Sequence, residues 1–204
     1  MTERIGILGG TFDPVHYGHL AIAEEARVTL TLDRVILIPA ARQPFKRHVL
    51  TAEAQHRLAM VQLACAGNAA FEPSALEIER AGVSYTATTL ETLHQTLGGE
   101  LYFILGADAL ADLPRWDNVN RILQLACIVA FGRPQAATSL ETLYSALPDL
   151  AQKLIMLEGP RMELSSTMLR ERVATGRPIR YMVPDTVAEY VSTHGLYRSK
   201  TLEQ

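Results

Sequence analysis

Little in this sequence belongs to a secreted, membrane-spanning or nucleic-acid-binding protein. There are only two cysteines in 204 residues, too few for a disulfide framework. Cys65 and Cys127 lie in the apolar runs Leu63-Ala64-Cys65-Ala66 and Leu125-Ala126-Cys127-Ile128, where a buried free thiol is the expected state. That usage favours a reducing cytoplasm. Lys and Arg together number 19 against 22 Asp and Glu, a net charge of −3, so the broad basic footprint of a nucleic-acid binder is missing. Any cation that touches phosphate must do so locally. No apolar run is long enough to span a bilayer, and the first residues carry no apolar targeting segment. A soluble cytoplasmic protein is expected. Two phosphate motifs are also missing. Without G-x-x-x-x-G-K-[ST] a P-loop kinase or ATPase is disfavoured, and without G-x-G-x-x-G a dinucleotide-binding dehydrogenase is disfavoured.

What is present is an alternation of strand-like and helix-like segments. Ile5 to Leu8, Arg34 to Ile38, Leu101 to Leu105, Cys127 to Phe131 and Lys153 to Leu157 read as strands, with Leu76-Glu77-Ile78 as a short additional one. Thr51 to Ala66 (after a threonine cap), Thr86 to Leu97 and Asn118 to Leu125 read as helices. Near-continuous apolar strands imply a parallel sheet covered on both faces, hence a doubly wound α/β fold. Ser166 to Ala174 and Pro184 to His194 form two further helices, with Pro184 suited to a first helical position and Val183, Val187 and Val191 on one face. This pair is expected to be a small helical appendage, about residues 160–197, on the sheet's carboxyl edge. Residues 1–197 are expected to form one domain and 198–204 a loose tail.

The most informative segment is Gly9-Gly10-Thr11-Phe12-Asp13-Pro14-Val15-His16-Tyr17-Gly18-His19. A strand that ends in two glycines and restarts as a helix presents bare backbone N–H groups at a helix N-terminus, where orphan amides and the helix dipole both favour an anion. Two imidazoles in the first helical turn add chemistry to that anion site. The other strand ends carry the loop Gln43-Pro44-Phe45-Lys46-Arg47-His48, then Gly106-Ala107-Asp108, then Gly132-Arg133, and finally Leu164-Ser165-Ser166-Thr167-Met168-Leu169-Arg170. Each has a bland alternative. The serines can be a helix cap, Lys46 a solvated loop residue and Asp108 a cap. His16 and His19 stand at a metal-compatible spacing, but no third ligand accompanies them, so no protein metal site is expected. The five segments gain weight together, because ligands of open α/β sheets bind beyond the carboxyl ends of the strands.

Gly10-Thr11-Phe12-Asp13-Pro14-Val15-His16-Tyr17-Gly18-His19 resembles the G-x-F-x-P-x-H-x-G-H signature of the nucleotidylyltransferase superfamily, and Leu164 to Arg170 resembles its I-S-S-T-x-x-R signature. Within it, Ser84-Tyr85-Thr86 and Gly106-Ala107-Asp108-Ala109 with Arg115-Trp116 are similar to segments of the bacterial nicotinate-mononucleotide adenylyltransferases. The likeness runs from Ile5 to about Tyr197. It implies a Rossmann-like nucleotidylyltransferase fold and transfer of AMP from ATP to nicotinate mononucleotide, giving nicotinate adenine dinucleotide and pyrophosphate, with Mg²⁺ on the triphosphate.

The resemblance implies His16, His19, Lys46 and Arg170 as catalytic groups. Gly9, Gly10, Thr11, Phe12, Gly106, Asp108, Arg133, Ser166 and Thr167 would join them around ATP. Thr11, Phe12, Lys46, Tyr85, Thr86, Trp116 and Asp117 would meet nicotinate mononucleotide. Trp116 stands as a stacking platform or a core plug on spacing alone, and the resemblance favours stacking. Such a reaction needs no strong general base, because its nucleophile is already an anion; the work is to bring two polyanions together and neutralise the leaving group. Two departures stand out. The family's P-P-H-K loop reads Gln43-Pro44-Phe45-Lys46 here, and an acid, Asp117, follows the tryptophan. The alternatives are another acceptor (nicotinamide mononucleotide or phosphopantetheine) and a nucleotide sensor without turnover. No nucleic-acid or membrane partner is expected, and the sequence sets no oligomeric state.

Overall fold

The computed structural model describes residues 2–42, 52–132, 139–160 and 162–198. Its elements in chain order are β1 (Arg4–Gly10), α1 (Tyr17–Thr29), β2 (Arg34–Pro39), α2 (Ala54–Cys65), β3 (Phe71–Pro73), α3 (Leu76–Arg80), α4 (Thr86–Leu97), β4 (Glu100–Gly106), α5 (Ala107–Asp112), α6 (Val119–Leu125), β5 (Ala126–Phe131), α7 (Leu140–Ala146), α8 (Leu150–Lys153), β6 (Leu154–Leu157), α9 (Ser166–Ala174) and α10 (Asp185–Thr193). The sheet has six strands in the order β3-β2-β1-β4-β5-β6. Every pairing is parallel, with Gly10 opposite Pro39 and Leu8 opposite Ile104. The order reverses between β1 and β4, which opens a crevice at their carboxyl ends.

The apolar strands are buried because helices cover both faces. One core joins Ile7, Phe103 and Ile128 of the sheet to Leu90 of α4, Ile122 of α6 and Leu150 of α8. The other joins Leu8, Leu37 and Ile104 to Ala23 of α1, Met60 of α2, Leu169 of α9 and Val187 and Val191 of α10. Each fully buried Leu, Ile, Val or Met side chain among them contributes about 1.5–3 kcal/mol. The C-terminal helices therefore pack into the core that α1 and α2 cover, and they bring α9 to the carboxyl end of β1. None of the described helices is long and apolar enough to cross a membrane. Cys65 is buried, which pushes its thiol up to about 12, and Cys127 is half-buried; both are unbridged.

Three local expectations need correction. Leu76-Glu77-Ile78 is helical (α3), and the edge strand comes earlier as β3, pairing Phe71 with Val35. Three residues carry too little periodicity to separate helix from strand; Pro73 closes β3, at a sheet edge where a missing N–H is tolerated. Pro184 stands at the N-cap of α10, so Asp185 is the first helical residue. The helix expected from Thr51 starts at Ala54 with Glu53 at its N-cap, and Thr51 lies outside the described residues. Short α5, α7 and α8 escaped the sequence reading because each has two turns or fewer.

Candidate active site

The turn after β1 is shaped by Phe12. Its ring is 1 % exposed, in the core, while its backbone adopts φ 50°. A Cβ at Gly10 would lie 3.1 Å from that ring, so the glycine lets the backbone cross over the phenyl group. The Asp13–Pro14 peptide is cis. Asp13 is fully buried; its Oδ1 accepts from the Tyr197 hydroxyl at 2.7 Å and from Ala52 N at 3.0 Å.

His16 is the N-cap of α1 and is 5 % exposed. Burial lowers its imidazole from 6.5 to about 4, so the ring is neutral at pH 7. His19 stacks on it with ring centroids 3.7 Å apart, and the Phe12 ring meets His19 edge-on at 5.0 Å. His16 N donates to His19 Nδ1 at 3.2 Å. An Nδ1 that accepts places the His19 proton on Nε2, and the backbone thereby fixes which nitrogen can donate to a ligand. A Cβ at Gly18 would fall 3.0 Å from His16 Nδ1, so the residue between the two histidines has to be small.

Across the crevice, α9 begins at the same place. Ser165 caps it, its Oγ accepting from Met168 N at 3.2 Å, and the N–H groups of Ser166 and Thr167 are orphan donors of the first turn. The Ser166 hydroxyl donates to Pro14 O at 2.9 Å. Its one proton is committed there, so its backbone N–H is the donor this residue presents. Arg170 is held over the turn: Nη1 donates to Asp13 O at 2.8 Å and lies 3.6 Å from Asp13 Oδ2, and Nη2 donates to Thr167 Oγ1 at 3.2 Å. With Arg170 as donor, the Thr167 hydroxyl keeps its own proton for a ligand.

Two cavities meet here. One, of about 750 Å³, is lined by Gly10, Thr11, Phe12, His16, His19, Gly106, Asp108, Ser166, Thr167 and Arg170 among others. The other, of about 650 Å³, is lined by Gly9, Gly10, Ser84, Tyr85, Thr86, Asp108, Trp116 and Asp117 among others. Gly10 and Asp108 line both. Gly9, grouped with ATP in the sequence reading, lines the second cavity. Trp116 is half-buried, packs edge-on to Phe103 at 5.8 Å and still lines that cavity. It is held from behind with a surface left open, so platform and plug are compatible. Lys46 and Arg133 lie outside the described residues.

Sequence reasoning missed the supports. Arg57 of α2 is 4 % exposed and donates to the carbonyls of Thr11, Ala40, Ala41 and Ala52. Its signal was positional: it shares a core-facing helix stripe with Met60 and Val61, where a charge is out of place. Ser84 clasps the end of β2, its Oγ accepting from Ala41 N and its N donating to Arg42 O, both at 2.9 Å. Glu77 is buried beside the second cavity and accepts from Thr89 Oγ1 at 2.6 Å.

The cytidylyltransferase-like family model matches residues 7–172 of the chain. A curated relative from Roseiflexus sp. (strain RS-1), named "Probable nicotinate-nucleotide adenylyltransferase", is 60 % identical over 194 residues, covering 95 % of this chain and 98 % of the relative. One of the same name from Herpetosiphon aurantiacus is 48 % identical over 196 residues, 96 % and 98 % of the two chains. Among solved structures, Plasmodium falciparum nicotinic acid mononucleotide adenylyltransferase complexed with NaAD superposes with a TM-score of 0.75 at 19 % identity, over 96 % of this chain and 97 % of that one. The same protein complexed with APC gives 0.71 at 18 %, over 96 % and 97 %. At such low identity these structures speak to the fold.

Proposed function

The chain belongs to the nicotinate-nucleotide adenylyltransferase family, and from that premise we propose that it transfers AMP from ATP to nicotinate mononucleotide at the junction of its two cavities. The observation that carries this reading is a shared floor. An imidazole pair and the α9 N-terminal turn line one cavity, an aromatic wall lines the other, and Gly10 and Asp108 belong to both. Each volume suits a ligand of nucleotide size.

The acceptor's phosphate oxygen attacks the α-phosphorus of ATP, the bond between the α-phosphorus and the bridging oxygen breaks, and pyrophosphate leaves with the electron pair. No proton has to be removed from the nucleophile. His19 Nε2–H and the N–H groups of Ser166 and Thr167 donate to the triphosphate, and Arg170 adds charge where the leaving group becomes more negative. His16, neutral and buried, supports the His19 ring and contributes hydrogen bonding without charge. Trp116 stacks on the pyridine ring, and backbone near Thr86 and Asp117 meets its carboxylate. Lys46 and Arg133 belong to the same reading as further phosphate and adenosine contacts.

The donor set of the first cavity suits Mg²⁺ that arrives on ATP. The cavity offers imidazoles, amides and a guanidinium; Asp13 is engaged with Arg170 and Tyr197, which leaves Asp108 as the carboxylate near the phosphates. The ion would be held by triphosphate oxygens, with Asp108 nearby, and supply charge neutralisation.

The test is pyrophosphate release from ATP and Mg²⁺, with nicotinate mononucleotide, nicotinamide mononucleotide and phosphopantetheine offered in parallel. Release with the first acceptor alone is expected. Release only with another keeps the chemistry and overturns the roles given to Thr86 and Trp116, and silence with all three overturns the enzyme reading.

A further inference from the structure

Arg57 stands out among the charged groups that touch neither cavity. Its guanidinium is buried, and among the described residues no carboxylate pairs with it directly, the Asp13 carboxylate acting on it only from farther off. Burying a cation is costly unless hydrogen bonds replace its water. Here four carbonyls do so: Nη1 donates to Thr11 O at 2.9 Å and Ala40 O at 2.6 Å, Nη2 to Ala41 O at 3.2 Å, and Nε to Ala52 O at 3.1 Å. Thr11 and Ala40 are the residues that leave the ends of β1 and β2, and Ala40 N donates back to Gly10 O at 2.8 Å. One side chain therefore ties together both strand ends beneath the floor where the two cavities meet.

The peptide plane gives this tie a consequence. In a planar trans peptide the N–H points opposite to the C=O. With Thr11 O held by Arg57, the Phe12 N–H of the same peptide is turned away from Arg57. Thr11 and Phe12 line the first cavity and Arg57 does not. Phe12 also has φ 50°, a conformation that a bulky residue keeps only when its surroundings enforce it. A carbonyl facing the junction would repel phosphate; an amide facing it attracts phosphate.

We propose that Arg57 is a positioning residue for adenylyl transfer: by holding the Thr11 and Ala40 carbonyls away from the junction, it aims the Phe12 N–H at the phosphates that react there. This rests on the transferase reading above. It is tested with Arg57→Lys and Arg57→Gln, each verified as folded by circular dichroism and assayed below its own melting temperature against ATP and nicotinate mononucleotide.

For Arg57→Gln, kcat falls about 100-fold, the scale of a misplaced reacting geometry, while both KM values stay within about threefold of wild type. Arg57→Lys keeps the charge but not the planar fork, so the rescue is partial and kcat settles between about threefold and about tenfold below wild type. A folded variant of either kind with kcat within about threefold of wild type overturns the proposal, because Arg57 then serves stability alone. A loss carried by KM with kcat intact overturns it as well. If Arg57→Gln does not fold, Arg57→Lys decides alone: it supports the proposal with kcat reduced between about threefold and about tenfold and overturns it otherwise. Wild-type enzyme silent with every acceptor overturns the transferase reading instead, so the two failures are distinguishable.

Discussion

The Tyr197 hydroxyl donates to Asp13 Oδ1 at 2.7 Å, joining positions 184 residues apart in the chain. Burial and the adjacent Asp13 carboxylate hold the Tyr197 phenol well above its usual range, so it stays protonated and remains a donor. Arg170 in turn donates to the Asp13 backbone carbonyl and lies 3.6 Å from its Oδ2, so the C-terminal segment and the turn carrying the histidines are fastened through one residue.

Tyr197→Phe removes one donor from a buried acceptor and leaves Asp13 Oδ1 with Ala52 N. The expected cost is about 1–3 kcal/mol of folding stability. Urea unfolding at pH 7 measures it, and an unchanged midpoint would remove this bond from the account of how the C-terminal helices are held.

The pH dependence of stability follows from His16. Its folded-state value, about 4, lies below the ordinary 6.5, so between these values the unfolded chain binds more protons than the native one. Stability is then fully present above about pH 6.5 and is lost as pH falls toward 4, by about 3 kcal/mol for a shift of this size. Denaturant titrations at pH 7.5 and pH 5 check the sign. His16→Asn should flatten the dependence between them; an equally steep slope in that variant would assign it to other groups.

His19→Ala removes the donor that the His16 backbone orients. Loss of a prepared donor to developing charge lowers kcat by roughly 100-fold or more, with the fold retained. Gly18→Ala reaches the same site differently, placing a methyl group 3.0 Å from His16 Nδ1. Steady-state pyrophosphate assays read both, and a His19→Ala enzyme of near-normal kcat would take the imidazole out of the mechanism.

Trp116→Ala raises KM for nicotinate mononucleotide by about tenfold, the scale of an aromatic contact, and leaves KM for ATP near wild type. Because Trp116 also packs against Phe103, melting temperature is measured alongside. An effect confined to ATP would contradict the stacking role.

The sequence carried the histidine turn openly, because every residue it needs is local: a strand, small residues where the backbone is crowded, and imidazoles in the first turn of a helix. It carried the α9 turn equally well, since Ser165 caps its own helix. It did not carry α3 or β3, whose few residues have no measurable period. It also gave no distance between the two signature segments, since no local pattern encodes contacts such as Ser166 to Pro14 or Arg170 to Asp13.

By itself, then, the sequence determined the alternation of apolar strands and amphipathic helices, the parallel sheet that follows from it, and the identity of the groups at the strand ends, because periodicity, turn chemistry and residue type are properties of neighbouring residues. Only the tertiary structure decided that His16 is neutral, that His19 carries its proton on Nε2, that the Ser166 hydroxyl is already engaged and that Arg57 lies under the floor. Burial and hydrogen-bond partners depend on which distant segments the fold brings together, and those physical quantities set protonation and orientation.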